Sequence, residues 1–169
     1  MIVTVIMTLA LGVEVGVAAG VLTSLALFIY RSATPHMAEV GRVAGSEHFR
    51  NRDRFEVEVL PEVYMLRIDE SLFFANSREL EQRIYHAIYE RDAICDVVLV
   101  GSAINTIDYS ALEGLEKINA ALARQGVRLH LCEIKGPVMD ALARTHFLQD
   151  LTGRIFLSQN EAFEALRQL

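Results

Sequence analysis

The sequence is poor in several features that mark particular classes of protein. It has no tryptophan, only two cysteines and only three prolines in 169 residues. Lys and Arg total 16 against 22 Asp and Glu, and they form no basic run. Nucleic-acid binding depends on a basic face that neutralises phosphates, and two isolated cysteines provide no disulfide framework. We therefore expect neither a nucleic-acid-binding protein nor a disulfide-rich secreted domain.

Charged residues are nearly absent from the start of the chain. Within residues 1–30 only Glu14 is charged, and Val13–Tyr30 is otherwise a largely apolar run. A helix needs about 20 such residues to cross the apolar core of a bilayer. The run ends in an aromatic residue followed directly by Arg31, which is typical of a cytoplasmic membrane boundary. We therefore predict that residues 1–30 form a transmembrane segment.

Two other kinds of segment are also apolar. A signal peptide carries positive charge before its apolar stretch, whereas no Lys or Arg precedes Arg31. A core helix of a soluble protein is seldom this long, and no other part of the chain is apolar enough to surround it. The membrane-spanning interpretation accounts best for the segment.

Three glycines in this segment are spaced by four residues, so they line one face of a helix. Small residues at this spacing let helices approach closely in lipid, where packing drives association. We predict that Gly12, Gly16 and Gly20 form a helix-packing stripe against a partner helix, in this chain or in another. We expect Glu14 to lie at the membrane interface.

The chain from residue 31 onward mixes apolar and charged residues as a globular domain does. Residues 31–54 contain one proline and two glycines, and are predicted to be a linker with a short extended piece at Glu39–Val43. Residues 55–169 are predicted to form the folded domain. It opens with a strand at Phe55–Val59, where apolar and acidic residues alternate.

Strands and helices then alternate. Further strands are predicted at 63–68, 96–101, 127–132 and 155–157, and helices at 77–91, 108–124, 136–144 and 158–169. Asn76 and Asp108 precede two of these helices and are good N-caps. The succession predicts an α/β fold with a largely parallel central sheet flanked by helices.

Motifs of the common enzyme classes are missing. The sequence has no Gly-rich phosphate loop and no G-x-S-x-G nucleophile elbow. Its histidines lack the spacing of metal ligands, and we expect His86 and His130 to be surface or structural residues. Cys95 and Cys132 lie in or beside strand patterns and are expected to be buried, reduced thiols. We predict no catalytic activity, no bound metal and no cofactor.

One strand-to-helix junction, residues 101–111, concentrates polar side chains. In open α/β sheets, ligands bind where parallel strands end. We predict that a regulatory or ligand-binding loop at this junction includes Ser102, Asn105, Thr106 and Asp108.

The next helix carries a candidate for modification. Ser110 lies in its first turn, where unpaired N–H groups and the helix dipole favour an anion. A phosphate on Ser110 would gain these donors but would be repelled by Asp108, so it would act as a local charge switch. The alternative is that Asp108 is only a helix cap and Ser110 an ordinary first-turn residue.

Around Ser110 the sequence resembles the STAS family, the domain shared by sulfate transporters and anti-sigma-factor antagonists. In the antagonists an Asp-Ser-Ser sequence opens the corresponding helix, and a partner kinase phosphorylates its second serine. The segment IDYS at 107–110 matches this pattern at Asp108 and Ser110, whereas Tyr109 replaces the middle serine. The resemblance implies that Ser110 is a phospho-acceptor.

The rest of the chain resembles the SulP branch of anion transporters, which end their membrane domain with an apolar helix. The similar stretches are YR at 30–31, PH at 35–36, GRV at 41–43, FRN at 49–51, LRI at 66–68, LFFAN at 72–76 and KGPV at 135–138. The resemblance implies a STAS-type sandwich and a proton- or sodium-coupled, or exchanging, carrier of sulfate, bicarbonate or dicarboxylates. It also implies that the STAS domain supports trafficking, dimer contacts and regulation.

Three hypotheses follow. In the first, the chain is the cytoplasmic regulatory STAS domain and last membrane segment of such a carrier at the plasma (inner) membrane. Its partners are then the carrier's membrane domain, a second copy of the chain or a cytoplasmic protein. In the second, it is a membrane-tethered switch like the antagonists, controlled by a kinase through Ser110. In the third, the 101–111 loop binds a nucleotide, although it lacks a Walker-type lysine.

Overall fold

A computed structural model describes residues 2–168 of the chain. They divide into two compact units, with the boundary between Thr34 and Pro35.

The first unit consists of two helices. Helix α1 spans Ile2–Leu11 and helix α2 spans Val13–Ala33. Gly12 separates them with φ +94°, a conformation that favours glycine. Within the described residues, α2 is the one helix that is long and apolar enough to cross a membrane. Most of the large apolar side chains of this unit are exposed, because neither of its two helices covers them.

The second unit contains a six-stranded sheet. Its strands are β1 (Met37–Arg42), β2 (Phe49–Asn51), β3 (Val63–Ile68), β4 (Asp96–Val100), β5 (Arg128–Cys132) and β6 (Ile155–Phe156). They lie in the order β2-β1-β3-β4-β5-β6. Strands β3 to β6 are parallel, whereas β1 is antiparallel to both of its neighbours. The predicted α/β fold with a largely parallel sheet is confirmed.

Five helices connect or follow these strands. They are α3 (Phe74–Glu90), α4 (Tyr109–Arg124), α5 (Gly136–Ala143), α6 (Phe147–Asp150) and α7 (Gln159–Arg167). The short helix α6 was not predicted, because four residues are too few to show helical periodicity. Ser158 is the N-cap of α7 and accepts a hydrogen bond from the N–H of Glu161.

The segment expected to be a linker, residues 31–54, contributes two strands to the sheet. The expected extended piece is β1, which pairs with both β2 and β3, and β2 was not expected. Gly41 of β1 lies so close to the next segment that an added Cβ would be 2.6 Å from the carbonyl oxygen of Glu58. The linker prediction therefore missed structure whose pairing partners lie elsewhere in the sequence.

The predicted strand Phe55–Val59 was wrong. Only Glu58 of this segment forms a ladder contact, an isolated bridge to Arg42 at the end of β1. The alternation of apolar and acidic residues indicates that the two faces of the segment differ in exposure. The segment nevertheless finds little room to pair with β1, because β1 is short and half of it already pairs with β3. The rest of the segment runs without strand pairing.

The core lies on both faces of the sheet. On one face, α3, α4, α5 and α6 pack around buried residues such as Leu66, Leu99 and Leu131. On the other face, α7 packs against Val98 and Cys132. All five residues of β4 are buried, as expected for a central strand covered on both sides.

Candidate functional site

Three loops meet at the edge of the sheet where β3, β4 and β5 end. They span residues 69–73, 101–108 and 133–135, and each leads into a helix. They share an edge because the three strands are parallel neighbours. The middle loop is the junction singled out by sequence analysis.

The carboxylate of Asp108 joins the starts of two helices. Its Oδ1 accepts a hydrogen bond from the N–H of Ala111 in α4 at 2.7 Å. Its Oδ2 accepts one from the N–H of Phe74, the first residue of α3, at 2.9 Å. Asp108 is therefore the N-cap of α4 and also satisfies an N–H group of α3. A negative charge is favourable at both positions because each is the positive end of a helix dipole.

The first two loops are also joined through their backbones. The N–H of Leu72 donates to the carbonyl of Thr106, and the N–H of Asp108 donates to the carbonyl of Leu72, both at 3.1 Å. The hydroxyl of Ser71 accepts hydrogen bonds from the N–H groups of Asn105 and Thr106 at 3.2 and 3.3 Å. The two loops therefore form one connected structure rather than two independent turns.

Asn76 holds the first loop in place, but not as the predicted N-cap. Helix α3 begins at Phe74, so Asn76 lies inside its first turn and is buried. Its Oδ1 accepts from the N–H of Phe73 at 3.0 Å, and its Nδ2 donates to the carbonyl of Ser71 at 2.8 Å. The N-cap prediction was wrong because Asn76 lies inside the helix, and its side chain bonds to Phe73, the residue that precedes the helix.

The predicted polar residues differ in exposure. Ser102 is half-buried, whereas Asn105, Thr106 and Ser110 are exposed. The third loop reaches the second through Lys135, whose Nζ donates to Asn105 Oδ1 at 2.7 Å. This edge therefore presents hydroxyls, an amide and an ammonium group to solvent, a set suited to binding or charge switching. The regulatory roles assigned to these residues stay predictions.

A charged cluster next to the first loop was missed by sequence analysis. Asp69 accepts a hydrogen bond from Arg67 Nε at 2.7 Å and contacts His36 Nδ1 at 2.8 Å. Burial alone would raise the pKa of Asp69, but the bonds to Arg67 and His36 outweigh it and hold this pKa below its ordinary value. His36 lies far from Asp69 in the sequence. The pairing of Met37 in β1 with Ile68 in β3 brings the two residues together.

A second missed cluster lies inside the sheet. The buried carboxylate of Asp96 accepts from Arg128 at 2.7 and 2.9 Å and from His130 Nε2 at 2.8 Å. The Nδ1 of His130 accepts from the N–H of Arg154, so the ring carries its proton on Nε2. Burial would raise the pKa of Asp96, but its two partners lower it below the ordinary value. His130 is therefore a buried residue with both ring nitrogens bonded.

The predicted glycine stripe lies in the first unit. Gly12 forms the turn between the helices, and no atom lies within 4 Å of where its Cβ would be. A Cβ on Gly16 would overlap Thr8, and one on Gly20 would lie 2.7 Å from Thr4 Oγ1. Helix α2 therefore packs against the backbone and side chain of Thr8 at Gly16, and against the side chain of Thr4 at Gly20. A role of the stripe in membrane packing stays a prediction.

The two cysteines differ, contrary to the prediction that both are buried. Cys132 is buried, and burial raises the pKa of its thiol to about 12. Cys95 is exposed, because it lies just before β4, outside the covered part of the sheet. Among residues 2–168, no group of three or more His, Cys, Asp and Glu side chains is placed to hold a metal ion.

The fold and its loops can be compared with known proteins. Residues 54–162 match the family model described as "STAS domain". The chain belongs to the STAS domain family. This is not an enzyme family, and the membership agrees with the resemblance seen in the sequence.

The relatives of this STAS protein include plant transporters. It is 29% identical over 165 residues to Sulfate transporter 3.1 of Arabidopsis thaliana, covering 90% of the chain and 25% of the transporter. It is 31% identical over 153 residues to Probable sulfate transporter 4.2 of the same plant, covering 84% and 23%. The chain therefore spans about a quarter of the length of the curated relatives it matches.

Solved structures show the same fold. The murine Solute Carrier 26 family member A9 anion transporter matches with a TM-score of 0.85 at 19% identity, over 99% of this chain and 28% of that one. The SulP transporter STAS domain from Vibrio cholerae matches with a TM-score of 0.55 at 17% identity, over 69% and 90%. The unphosphorylated anti-sigma factor antagonist SpoIIAA matches with a TM-score of 0.51 at 16% identity, over 66% and 96%. The predicted STAS-type fold is confirmed.

Proposed function

We propose that this chain is the cytoplasmic regulatory and interaction domain of a SulP-type secondary anion carrier, together with the last membrane segment of that carrier. One observation carries the proposal. A membrane-length apolar helix precedes a STAS domain, and 90% of this chain aligns with a sulfate transporter. The carrier is then about four times as long as this chain, or is assembled from this chain and a separate membrane protein.

The exposed apolar side chains of the first unit support a membrane partner. Leu9 and Phe28 are 83% and 68% exposed, and neither helix shields them. The adjoining helices of a carrier, and lipid, would cover such a surface. Two helices cannot enclose a polar pathway, so the chain does not transport anions by itself.

The chain's own residues and the same comparison support a topology and a substrate for the carrier. Arg31 directly follows the apolar run and favours a cytoplasmic position for the STAS domain at the plasma (inner) membrane. Sulfate is the first candidate substrate because the relatives are named as sulfate transporters. Bicarbonate and dicarboxylates are the alternatives. The STAS domain acts by binding and regulation, not by catalysis.

Transport by the complete carrier tests this proposal. An affinity tag after residue 169 isolates the carrier or the complex, which is then reconstituted in liposomes and supplied with labelled sulfate, bicarbonate or succinate. We expect saturable uptake of one of these anions by the complete carrier and none by this chain alone. A carrier without residues 35–169 should still enter the membrane but transport more slowly. Isolation of the chain without any membrane protein would contradict the proposal.

A second candidate function is a phosphorylation switch at Ser110. Its exposed side chain in the first turn of α4 supports this role, because a kinase can reach it. A phosphate there would compete with Asp108 for the N–H of Ala111 and would repel the Asp108 carboxylate. The change would therefore reach both helices that Asp108 joins.

Mass spectrometry of the chain from its source cells tests this switch. We expect phosphate on the peptide that contains Ser110, and altered partner binding by Ser110→Asp but not by the matched control Ser102→Asp. Absence of phosphate, together with unchanged partner binding by Ser110→Asp, would remove this candidate.

A further inference from the structure

A groove lies at the opposite edge of the sheet from the three loops, where α3 and α4 end and β4 and β5 begin. Its volume is about 500 Å³, within the range of about 300–1,000 Å³ that is common for ligand pockets. Ile88, Ile94 and Val127 form its apolar part, and Tyr85 and Tyr89 contribute aromatic rings. We refer to it below as the tyrosine groove.

The tyrosine groove combines a covered floor with an exposed aromatic wall. Ile94 and Val127 are 3% and 5% exposed, so the floor is part of the core. Tyr89 is 88% exposed, so its aromatic ring is accessible to a partner. An exposed aromatic ring beside an apolar floor is typical of binding surfaces.

The charges around the groove favour a cation. No Lys, Arg or His lines it, and Asp92 supplies a carboxylate. Among residues 2–168, no basic group lies within ion-pair distance of Asp92. The groove also lies beside the last residues of α3 and α4, the negative ends of two helix dipoles.

Two further charged residues act on the tyrosines. Burial raises the pKa of Tyr85, and the negative charge of Glu81 raises it further, whereas Arg124 on the last turn of α4 lowers it. Among the residues that line the groove, Asp92 is the one that carries a charge. The balance of charge remains negative, which disfavours an anionic ligand such as a phosphate or a transported oxyanion.

We propose that the tyrosine groove binds an arginine side chain of a partner protein. The aliphatic stem packs on Ile88, Ile94 and Val127, as long basic side chains do on apolar surfaces. The guanidinium lies against the tyrosine rings and near the Asp92 carboxylate, where cation–π and charge attraction act together. The proposal specifies a partner chemistry for the interaction role proposed above and rests on that role for its biological meaning. The binding chemistry itself can be tested independently of transport.

A titration followed by nuclear magnetic resonance tests the groove directly. The probe is butylguanidinium, which reproduces the arginine side chain, and butylurea is its neutral counterpart of the same shape. The full chain in detergent micelles is titrated with each. We expect butylguanidinium to shift the amide signals of Tyr89, Asp92 and Gln125 in a saturable way, and butylurea to bind at least fivefold more weakly.

Three variants identify the groups responsible. Tyr89→Leu and Asp92→Asn should each weaken butylguanidinium binding at least threefold, since both side chains are exposed and their replacement leaves the core intact. Tyr109→Leu, which removes a 71% exposed tyrosine at the other edge of the sheet, should leave binding unchanged. Equal binding of the two probes, or equal effects of Tyr89→Leu and Tyr109→Leu, would overturn the proposal.

Crosslinking in cells identifies the natural occupant. The photoreactive residue p-benzoylphenylalanine replaces Tyr89, and the crosslinked product is sequenced. We expect a peptide with an arginine at or next to the crosslinked position. A lipid adduct, or a peptide without an arginine, would overturn the proposal. Transport by Tyr89→Leu is measured separately, so failure of this inference is distinguishable from failure of the proposed carrier function.

Discussion

The two units of this chain are both rich in apolar residues, but they place them in opposite ways. In the second unit Leu66 and Leu99 are at most 1% exposed, inside a core on both faces of the sheet. In the first unit Leu9 and Phe28 are mostly exposed. The same residue types thus fill a core in one unit and form an exposed apolar surface in the other. Apolar composition gains its meaning from where the side chains lie.

The polar groups differ between the units as well. Buried polar side chains of the second unit have defined partners: Asp96 binds Arg128 and His130, and Asn119 bonds to Asp150 and Thr152. In the first unit the closest packing involves glycine and threonine rather than charged residues. Buried polar side chains with defined partners therefore distinguish the second unit, whereas close contact between two helices distinguishes the first.

Removing the first unit tests this contrast with the largest expected effect. A chain that begins at Pro35 should move from the membrane pellet to the soluble fraction and remain folded, because the exposed apolar helices are gone and the sheet is intact. Fractionation followed by circular dichroism measures both results. A chain that begins at Ser46 is the control: it lacks β1, which lies between β2 and β3, and we expect it to aggregate. A soluble full chain without detergent would contradict the contrast.

Replacing Asp96 by Ala tests the paired interior. The change leaves the buried His130 N–H and the Arg128 guanidinium without their acceptor, and should lower the free energy of unfolding by about 3 kcal/mol. Asp96→Asn keeps one acceptor oxygen and should cost about half as much. Urea unfolding of the chain from Pro35 measures both. An unchanged free energy of unfolding in Asp96→Ala would show that the cluster does not stabilise the domain.

The same carboxylates predict a pH dependence. Asp69 and Asp96 have folded-state pKa values below their ordinary values. Their contribution to stability is therefore present above the unfolded-state pKa of about 3.9 and is lost as pH falls through the folded-state values. The urea midpoint should fall as pH decreases from about 5 toward 3. Asp96→Asn should make the urea midpoint fall less over this pH range. A variant with the same pH profile as the original chain would contradict the contribution assigned to Asp96.

Enlarging Gly16 tests the helix contact of the first unit. A Cβ there overlaps Thr8, so Gly16→Leu should destabilise the α1–α2 pair by about 1–3 kcal/mol. The fraction of full chain that stays monodisperse after heating in detergent measures the effect. Val21→Leu, at a position 61% exposed, is the matched control and should change little. Equal behaviour of the two variants would show that the contact does not matter.

Removing the shared cap has the smallest expected effect. Asp108→Ala deprives one N–H of α3 and one of α4 of their acceptor and should cost about 1–2 kcal/mol. Ser110→Ala, two residues away and exposed, should cost less than about 0.5 kcal/mol. Urea unfolding of the chain from Pro35 separates them, and equal costs would exclude the shared cap.

Local patterns predicted the parts of the fold that depend on neighbouring residues. The apolar run indicated α2, the buried run of β4 indicated a central strand, and Asp108 was identified as a cap from its place before a helix. These features depend on periodicity and on preferences within a few positions. The family resemblance added the STAS fold, which composition alone does not specify.

Features that depend on distant residues were missed or wrong. The roles of Asp96 and His130 require the register of β4 against β5. The second hydrogen bond of Asp108 requires α3 and α4 to begin side by side. The tyrosine groove likewise forms where two helices end together, although its residues lie far apart in the sequence. Such contacts are fixed by tertiary packing, which no local pattern contains.

The central claim is that this chain works as the regulatory end of a membrane carrier. A blot of membrane and soluble fractions from source cells, with an antibody against residues 35–169, tests it most directly. The account predicts a band confined to the membrane fraction, at several times 18.9 kDa for a carrier in one chain or at 18.9 kDa for a carrier with a separate membrane protein. A band at 18.9 kDa in the soluble fraction would contradict it.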